Sequence, residues 1–360
     1  MTKRIKVRKH RFVLALLLGS LVGPANAQAP ASPAITTSLP ANWVAETVLR
    51  DLDYPWDLTS SGRQVVITEK AGNILMLGGE ESATRYKLET SVPIVTDGGG
   101  GLLGLALAAD FPSSGKAWVY HSYERDGEPL NRVIEVSFDG SGWHEIRPLL
   151  ESIPGHRLYN GGRIAIGPDG FLYVTTGWTE SQERPQDLES LAGKVLRMTL
   201  DGHIPADNPF PASYVWSFGH RNPQGLAWND NGDLYVAEHG QSALDEINLI
   251  RRGANYGWPL ISGDEASAGM MPPTLHSGDE TWAPSGVAFA GDDLLVATLR
   301  GGGLFAFNES ARRLRVIYKT SERIRDVLLL DGSVYMITTN RSPRASGPSD
   351  DRLVRLTPVH

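Results

Sequence analysis

Short runs of aliphatic, β-branched and aromatic residues recur along this chain, each set off by a turn. Val65–Thr68, Trp118–Ser122, Leu172–Thr175, Leu234–Ala237, Leu294–Thr298 and Val334–Thr338 form one series. A Gly/Asp pair or a similar polar break precedes each, as at Asp169-Gly170, Asn231-Gly232 and Asp331-Gly332. A second apolar run follows each: Ile74–Leu77, Val133–Phe138, Val195–Leu200, Ile247–Ile250, Leu304–Phe307 and Leu353–Leu356. The interval is roughly 40–60 residues, the range of propellers and arrays. No long segment carries the period of an amphipathic helix. Six such units predict an all-β fold, a six-bladed β-propeller. Each blade's sheet buries its faces on its neighbours, and closure removes exposed edges. The early run Trp43–Leu49 has no partner in its own unit. It is expected to close the ring with the C-terminal blade, Val334–Leu356. A stacked pair of β-sandwiches is the alternative.

Composition adds an address. The chain has 360 residues, 41% hydrophobic and 21% charged, ample for a packed core. Lys3, Arg4, Lys6, Arg8, Lys9 and Arg11 form a basic n-region, Phe12–Val22 an apolar h-region, and Ala25-Asn26-Ala27 a small-residue cleavage site. Residues 1–27 are therefore expected to be a signal peptide, too short in its apolar run to span a membrane. Residues 28–40, rich in Ala, Pro, Ser and Thr, are expected to be a flexible N-terminal segment, and 41–360 the propeller. Cleavage after Ala27 removes six of the 34 Lys and Arg and no acidic residue, taking the formal charge from −7 to −13. Such acidity argues against a nucleic-acid partner. The expected location is periplasmic or secreted. The chain has no Cys, so it holds no disulfide.

The richest chemistry lies in Ser217–Pro259, SFGHRNPQGLAWNDNGDLYVAEHGQSALDEINLIRRGANYGWP. It holds Arg221, His220, His239, Asp245 and Glu246 among turn-forming Gly, Asn and Pro. A strand that only filled a core would not need them. GHRNPQGLA (Gly219–Ala227), EHG (Glu238–Gly240), DEIN (Asp245–Asn248) and NYGWP (Asn255–Pro259), in that order and spacing, resemble the soluble periplasmic sugar dehydrogenases that use pyrroloquinoline quinone (PQQ). Asn160-Gly161-Gly162-Arg163 with Gly167-Pro168-Asp169-Gly170 and Tyr173, and the segments Leu191–Arg197 and Asp201–Phe210, extend the resemblance over essentially the whole chain from Trp43.

The resemblance implies a site. Arg221 and Asn222 correspond to cofactor contacts; Arg300 falls where the family has a cation against the quinone; Arg323 and Arg325 reproduce its paired arginines. Guanidinium suits a planar tricarboxylate because it pairs with carboxylates bidentately and stacks on flat rings. Taken alone, Arg221 would serve equally well as a structural ion pair, and Arg323 and Arg325 as a solvated basic loop. Gly240, Gln241, Glu246 and Tyr256 map onto calcium positions, through oxygen ligands that include backbone carbonyls. Asp245 suits a turn cap equally well. The glycine loop Asp97–Gly104 reads either as close backbone approach to a flat ligand or as a tight propeller turn. Gly99 stands where the family usually carries Gln.

Two departures bear on catalysis. The family's proton-abstracting His is Tyr159 here, and its partner carboxylate is Trp178. Oxidising a hydroxyl requires proton removal alongside hydride departure, and an oriented His is the usual solution. A Tyr of ordinary pKa near 10 needs a cation or metal beside it. His156 and Glu180 lie close enough in sequence to substitute, although each also reads as a solvated loop residue. The expected function is a PQQ- and calcium-dependent dehydrogenase acting on an aldose sugar or related alcohol, with an unspecified electron acceptor. The alternatives are a catalytically altered or inactive propeller that binds a sugar, cofactor or protein partner, and a calcium-dependent lactonase.

Overall fold

The structure, a computed structural model, describes residues 3–6, 42–78, 82–341 and 350–359. The signal-peptide and N-terminal expectations fall almost wholly outside these. Lys3–Lys6 alone is described there, as a strand antiparallel to Ser82–Arg85.

Each run of the first series is the second strand of a four-stranded antiparallel blade, and each run of the second series is the third; the first two blades are also joined at their outer edges, where Trp143 and His144 pair parallel with Leu88 and Glu89. These strands read as continuous apolar runs because blades cover both faces: Leu172–Thr175, Leu234–Glu238 and Asp293–Thr298 are buried throughout. The innermost strands are Pro55–Ser61, Leu102–Leu107, Ile164–Ile166, Pro223–Trp228, Pro284–Ala290 and Ile324–Leu330. Each packs on the next, and the last on the first, so six sheets form a ring.

Among the described residues, six buried clusters fill the six spaces between blades. Trp118, Tyr120, Val174 and Leu196 lie between the second and third blades, and Tyr235, Ile247, Val296 and Phe305 between the fourth and fifth. Trp43–Leu52 pairs antiparallel with Asp351–Pro358, from Trp43 opposite Pro358 to Leu52 opposite Asp351. The early strand is thus the outermost strand of the last blade, as its unpaired run implied. It brings Leu49 and Leu52 into the cluster between the last blade and the first. Each fully buried Leu stabilises the closure by about 1.5–3 kcal/mol.

The centre of the ring admits little side-chain volume. A Cβ on Gly104 would sit 2.4 Å from the Gly162 carbonyl, and one on Gly225 2.1 Å from that of Ser285. The axis is bridged by Arg163. Its guanidinium meets Asp57 at 2.9 Å and Asp326 at 2.6 Å, donates to the Gln224 carbonyl at 2.9 Å, and lies 4.3 Å from the centre of the Trp56 ring. Four blades meet at this residue.

Candidate active site

Arg221 enters the site immediately before the innermost strand of the fourth blade. Its backbone N–H donates to the Glu238 carboxylate. Glu238 also holds His220 Nδ1 at 2.8 Å, while His220 Nε2 meets Ser217 Oγ at 2.9 Å and the ring stacks on Tyr256. His220 is therefore a fixed support. The Arg221 guanidinium is boxed by three aromatic rings: Tyr159 at 4.7 Å, Trp258 at 5.2 Å and Trp178 at 5.5 Å from their centres. Rings favour a guanidinium both as a cation and as a flat surface. Burial holds its pKa below the ordinary value, opposed by Tyr159 and Glu238. Asn222 stands beside it, accepting from Gly161 N–H at 3.1 Å and facing His239 Nδ1 at 3.4 Å.

His239 shows that the cations converge. Burial drives its pKa down to about 3, with further contributions from Arg325, Arg221 and Arg323. Arg325 comes from the last blade and donates to Gln224 Oε1 at 2.7 Å. Its pKa is lowered to about 9, by burial and then by Arg323 and Arg163. Arg323 donates to the Leu299 carbonyl at 3.0 Å. Arg300 differs: its side chain is exposed, and its backbone N–H is tied to Trp282 O. Near His239 the Nε atoms of Arg221 and Arg325 and the indole nitrogens of Trp178 and Trp258 are buried without a partner among the described residues. Stranded buried donors are costly. Grouped at a channel mouth, they suit a ligand rich in acceptor oxygens.

The candidate bases lie together but are not equivalent. His156 stacks flat on Tyr159, with ring centres 5.4 Å apart. Its Nδ1 accepts the Leu158 N–H at 3.0 Å, and its Nε2 lies 3.5 Å from Glu180. Neutral His156 therefore carries its proton on Nε2, toward Glu180, and its one lone pair is spent on a backbone N–H. Tyr159 sits between His156, Trp178 and Arg221.

The four positions mapped to calcium divide into two places. Gly240 N–H donates to Asp245 Oδ1 at 2.8 Å, and Gln241 is exposed on the same loop. Asp245 also accepts from Trp282 and Ala283 N–H, so it caps a turn. Glu246 is paired in register with Glu238 on the strand behind Arg221. Burial, then Glu238, raises its pKa to about 7. It accepts from Gly263 N–H and Asn248 Nδ2, while Asn248 Oδ1 is buried without a donor. A carboxylate short of positive charge beside an orphaned amide oxygen fits a hard cation. The Tyr256 hydroxyl is already bonded to Leu249 O and Arg251 N–H, so its backbone carbonyl is the atom left for a metal. Among the described residues no cluster of three or more His, Cys, Asp or Glu forms a metal site.

The glycine loop approaches protein rather than open channel. A Cβ on Gly98 would strike the Arg157 carbonyl at 2.2 Å, one on Gly99 the Leu158 carbonyl at 2.6 Å, and one on Gly101 Lys70 Cβ at 2.8 Å. Lys70 and Trp258 are the residues that sequence reasoning left without a role. A signal for Lys70 existed: Thr68-Glu69-Lys70 ends the second strand of its blade, as Ala237-Glu238-His239 does in the fourth. Trp258 stood inside the NYGWP motif.

A ring of six sheets with a cationic, aromatic-walled mouth is the frame of a propeller enzyme. The glucose/sorbosone dehydrogenase family model matches residues 52–346, and the chain belongs to that family. It is similar to the aldose sugar dehydrogenase of Escherichia coli, 30% identical over 84% of this chain and 92% of that one. It is 33% identical to quinoprotein glucose dehydrogenase B of Acinetobacter calcoaceticus over 63% of this chain and 55% of that one. Among solved structures, the PQQ-bound aldose sugar dehydrogenase of Streptomyces coelicolor superposes with a TM-score of 0.80 at 33% identity, over 89% of this chain and 99% of that one. Sugar dehydrogenase chemistry is the activity of these relatives, and this chain is a sugar dehydrogenase by family. No helix among the described residues is long and apolar enough to cross a membrane.

Proposed function

We propose that this chain is a PQQ- and calcium-dependent dehydrogenase, exported to the periplasm, that oxidises an aldose or related alcohol. The observation that carries the reading is the set of stranded donors around Arg221, Arg325 and His239. They fit a planar quinone bearing carboxylates, and a structural relative holds PQQ. Bound PQQ supplies the hydride acceptor. Arg221, Arg323 and Arg325 neutralise and orient it, and Asn222 fixes the neighbouring loop. Calcium would be held at two places, at one by Glu246, Asn248 Oδ1 and the Tyr256 carbonyl and at the other by carbonyls at Gly240 and Gln241. Export rests on the basic, apolar and small-residue order of residues 1–27.

Tyr159 takes the substrate hydroxyl proton. Its ring lies against the Arg221 guanidinium, whereas the lone pair of His156 is occupied. The alternative, a propeller that binds cofactor or sugar without oxidising it, draws support from Trp178 standing where a carboxylate would orient the base.

Titration of the purified protein with PQQ and Ca²⁺, followed by the quinone absorbance and then by a panel of aldoses, separates these readings. Binding with reduction on sugar addition is expected. Binding that no sugar reduces would favour the alternative. No binding would remove the PQQ reading.

A further inference from the structure

Lys70 stands on the inner rim between the first two blades. Its N–H donates to the Tyr54 carbonyl at 3.1 Å and its carbonyl accepts from Leu102 N–H at 2.9 Å. Both partners adjoin or begin innermost strands, Pro55–Ser61 and Leu102–Leu107. Its ammonium donates to the Gly98 carbonyl and lies 5.8 Å from the centre of the Tyr54 ring. The loop carrying Gly98 packs on Arg157 and Leu158, directly before Tyr159. The charge of Arg325, from the adjoining last blade, reaches the Lys70 ammonium there.

The charges there do not balance. Burial and then Arg325 lower the Lys70 pKa to about 8, and Asp97 alone opposes them. Asp97 is exposed and already 3.4 Å from Arg157. The buried carboxylates below, Asp57 and Asp326, are spent on Arg163. Asp326 and Asp351 act on Arg325, but neither Lys70 nor Arg325 has an ion pair of its own among the described residues, and poorly hydrated cations in adjoining blades are costly unless an anion completes them. One carbonyl also leaves Lys70 with donors to spare.

We propose that Lys70 is an anion-binding residue of the active site, gripping a carboxylate of the ligand in the channel mouth. This rests on the PQQ reading, and the carboxylate belongs to the cofactor or to an acidic sugar substrate.

The test compares wild type, Lys70→Met and Lys70→Arg. PQQ affinity is read from the quinone absorbance, and thermal denaturation of the apo forms reports the fold. Loss of a charge-assisted contact predicts about ten- to hundredfold weaker PQQ binding in Lys70→Met, largely recovered in Lys70→Arg. The apo melting temperature should not fall, because an uncompensated charge has been removed. Acetic anhydride labelling of Lys70, mapped by mass spectrometry, should decrease when PQQ is bound. If PQQ binding is unchanged but Lys70→Met is no longer reduced by glucuronate while glucose still works, the carboxylate is the substrate's. Unchanged affinity, unchanged labelling and unchanged glucuronate reduction together overturn the proposal. Failure of wild type to bind PQQ removes this inference along with the functional reading.

Discussion

Tyr159 and His156 have their rings stacked 5.4 Å apart, yet their polar atoms face different duties. His156 binds backbone and faces Glu180, and Tyr159 shares Arg221's aromatic box. Tyr159→Phe keeps the ring beneath the guanidinium and removes the proton acceptor. PQQ affinity should be preserved and the single-turnover rate of quinone reduction should drop about 10²–10⁴-fold, the usual worth of general base catalysis. His156→Gln should change that rate less than tenfold. A Tyr159→Phe enzyme as fast as wild type would show that another group takes the proton. At this scale the charges acting on His239 are those of Arg325, Arg221 and Arg323, residue types the sequence put forward. The orientation of the His156 ring was not legible in the sequence, because a ring's donors and acceptors depend on which backbone N–H the local turn presents. Lys70 escaped notice because its neighbours at the mouth, Gly98 and Arg325, lie far from it in sequence.

At the scale of the strand, the second and third members of each blade were readable because both faces are buried and the apolar residues run together. The innermost strands were not, nor were the outermost ones apart from Trp43–Leu52. Ile164–Ile166 is three residues long, too short for any period to show. Arg313–Lys319 mixes Arg and Lys with Leu314, Val316, Ile317 and Tyr318, and none of its residues is fully buried. Three of the six innermost strands instead carry a glycine, Gly104, Gly225 and Gly286, whose reason appears only when blades meet. Gly225 lies beside Gln224, whose side chain holds Arg325, and a Cβ there would press on the Ser285 carbonyl. Gly225→Ala should cost about 1–3 kcal/mol through overpacking and lower the melting temperature by about 2–4 °C per kcal/mol for a chain of this size. It should also weaken PQQ binding by displacing Arg325. A variant with wild-type melting and affinity would mean that the two strands part without cost.

For the molecule as a whole, Arg163 ties four blades across the axis. Asp326 accepts from Leu58 and Val327 N–H as well as from Arg163. Asp57 accepts from Leu105 N–H and Arg163, and burial raises its pKa. One guanidinium stands between two buried carboxyls whose pKa values burial raises, and Asp57 accepts from fewer donors than Asp326. Asp326→Asn should therefore destabilise the fold by about 3–5 kcal/mol, as breaking a buried pair does, while Asp57→Asn should cost far less. Equal losses in denaturant titrations would place the charge differently. The pH dependence has the same origin. Asp57 and Glu246 both have folded pKa values raised above those of the unfolded chain. Between roughly pH 4, where unfolded carboxylates titrate, and about pH 7 for Glu246, the folded state holds more protons. Stability of the apo protein should fall as pH rises through that window. Calcium, which favours ionised Glu246, should reduce the fall; melting curves across pH with and without Ca²⁺ measure it.

Repetition, strand content and the unpaired run at Trp43 were enough to specify a closed ring of six sheets, because burial on both faces writes itself into local composition. The order of motifs from Gly219 to Pro259 was enough to specify the family. Which cations share one field, which imidazole nitrogen is occupied, and which glycines face protein were decided only in three dimensions. Those properties arise from contacts between blades far apart in sequence, where distance and burial set the strength of every charge, and no local pattern records them.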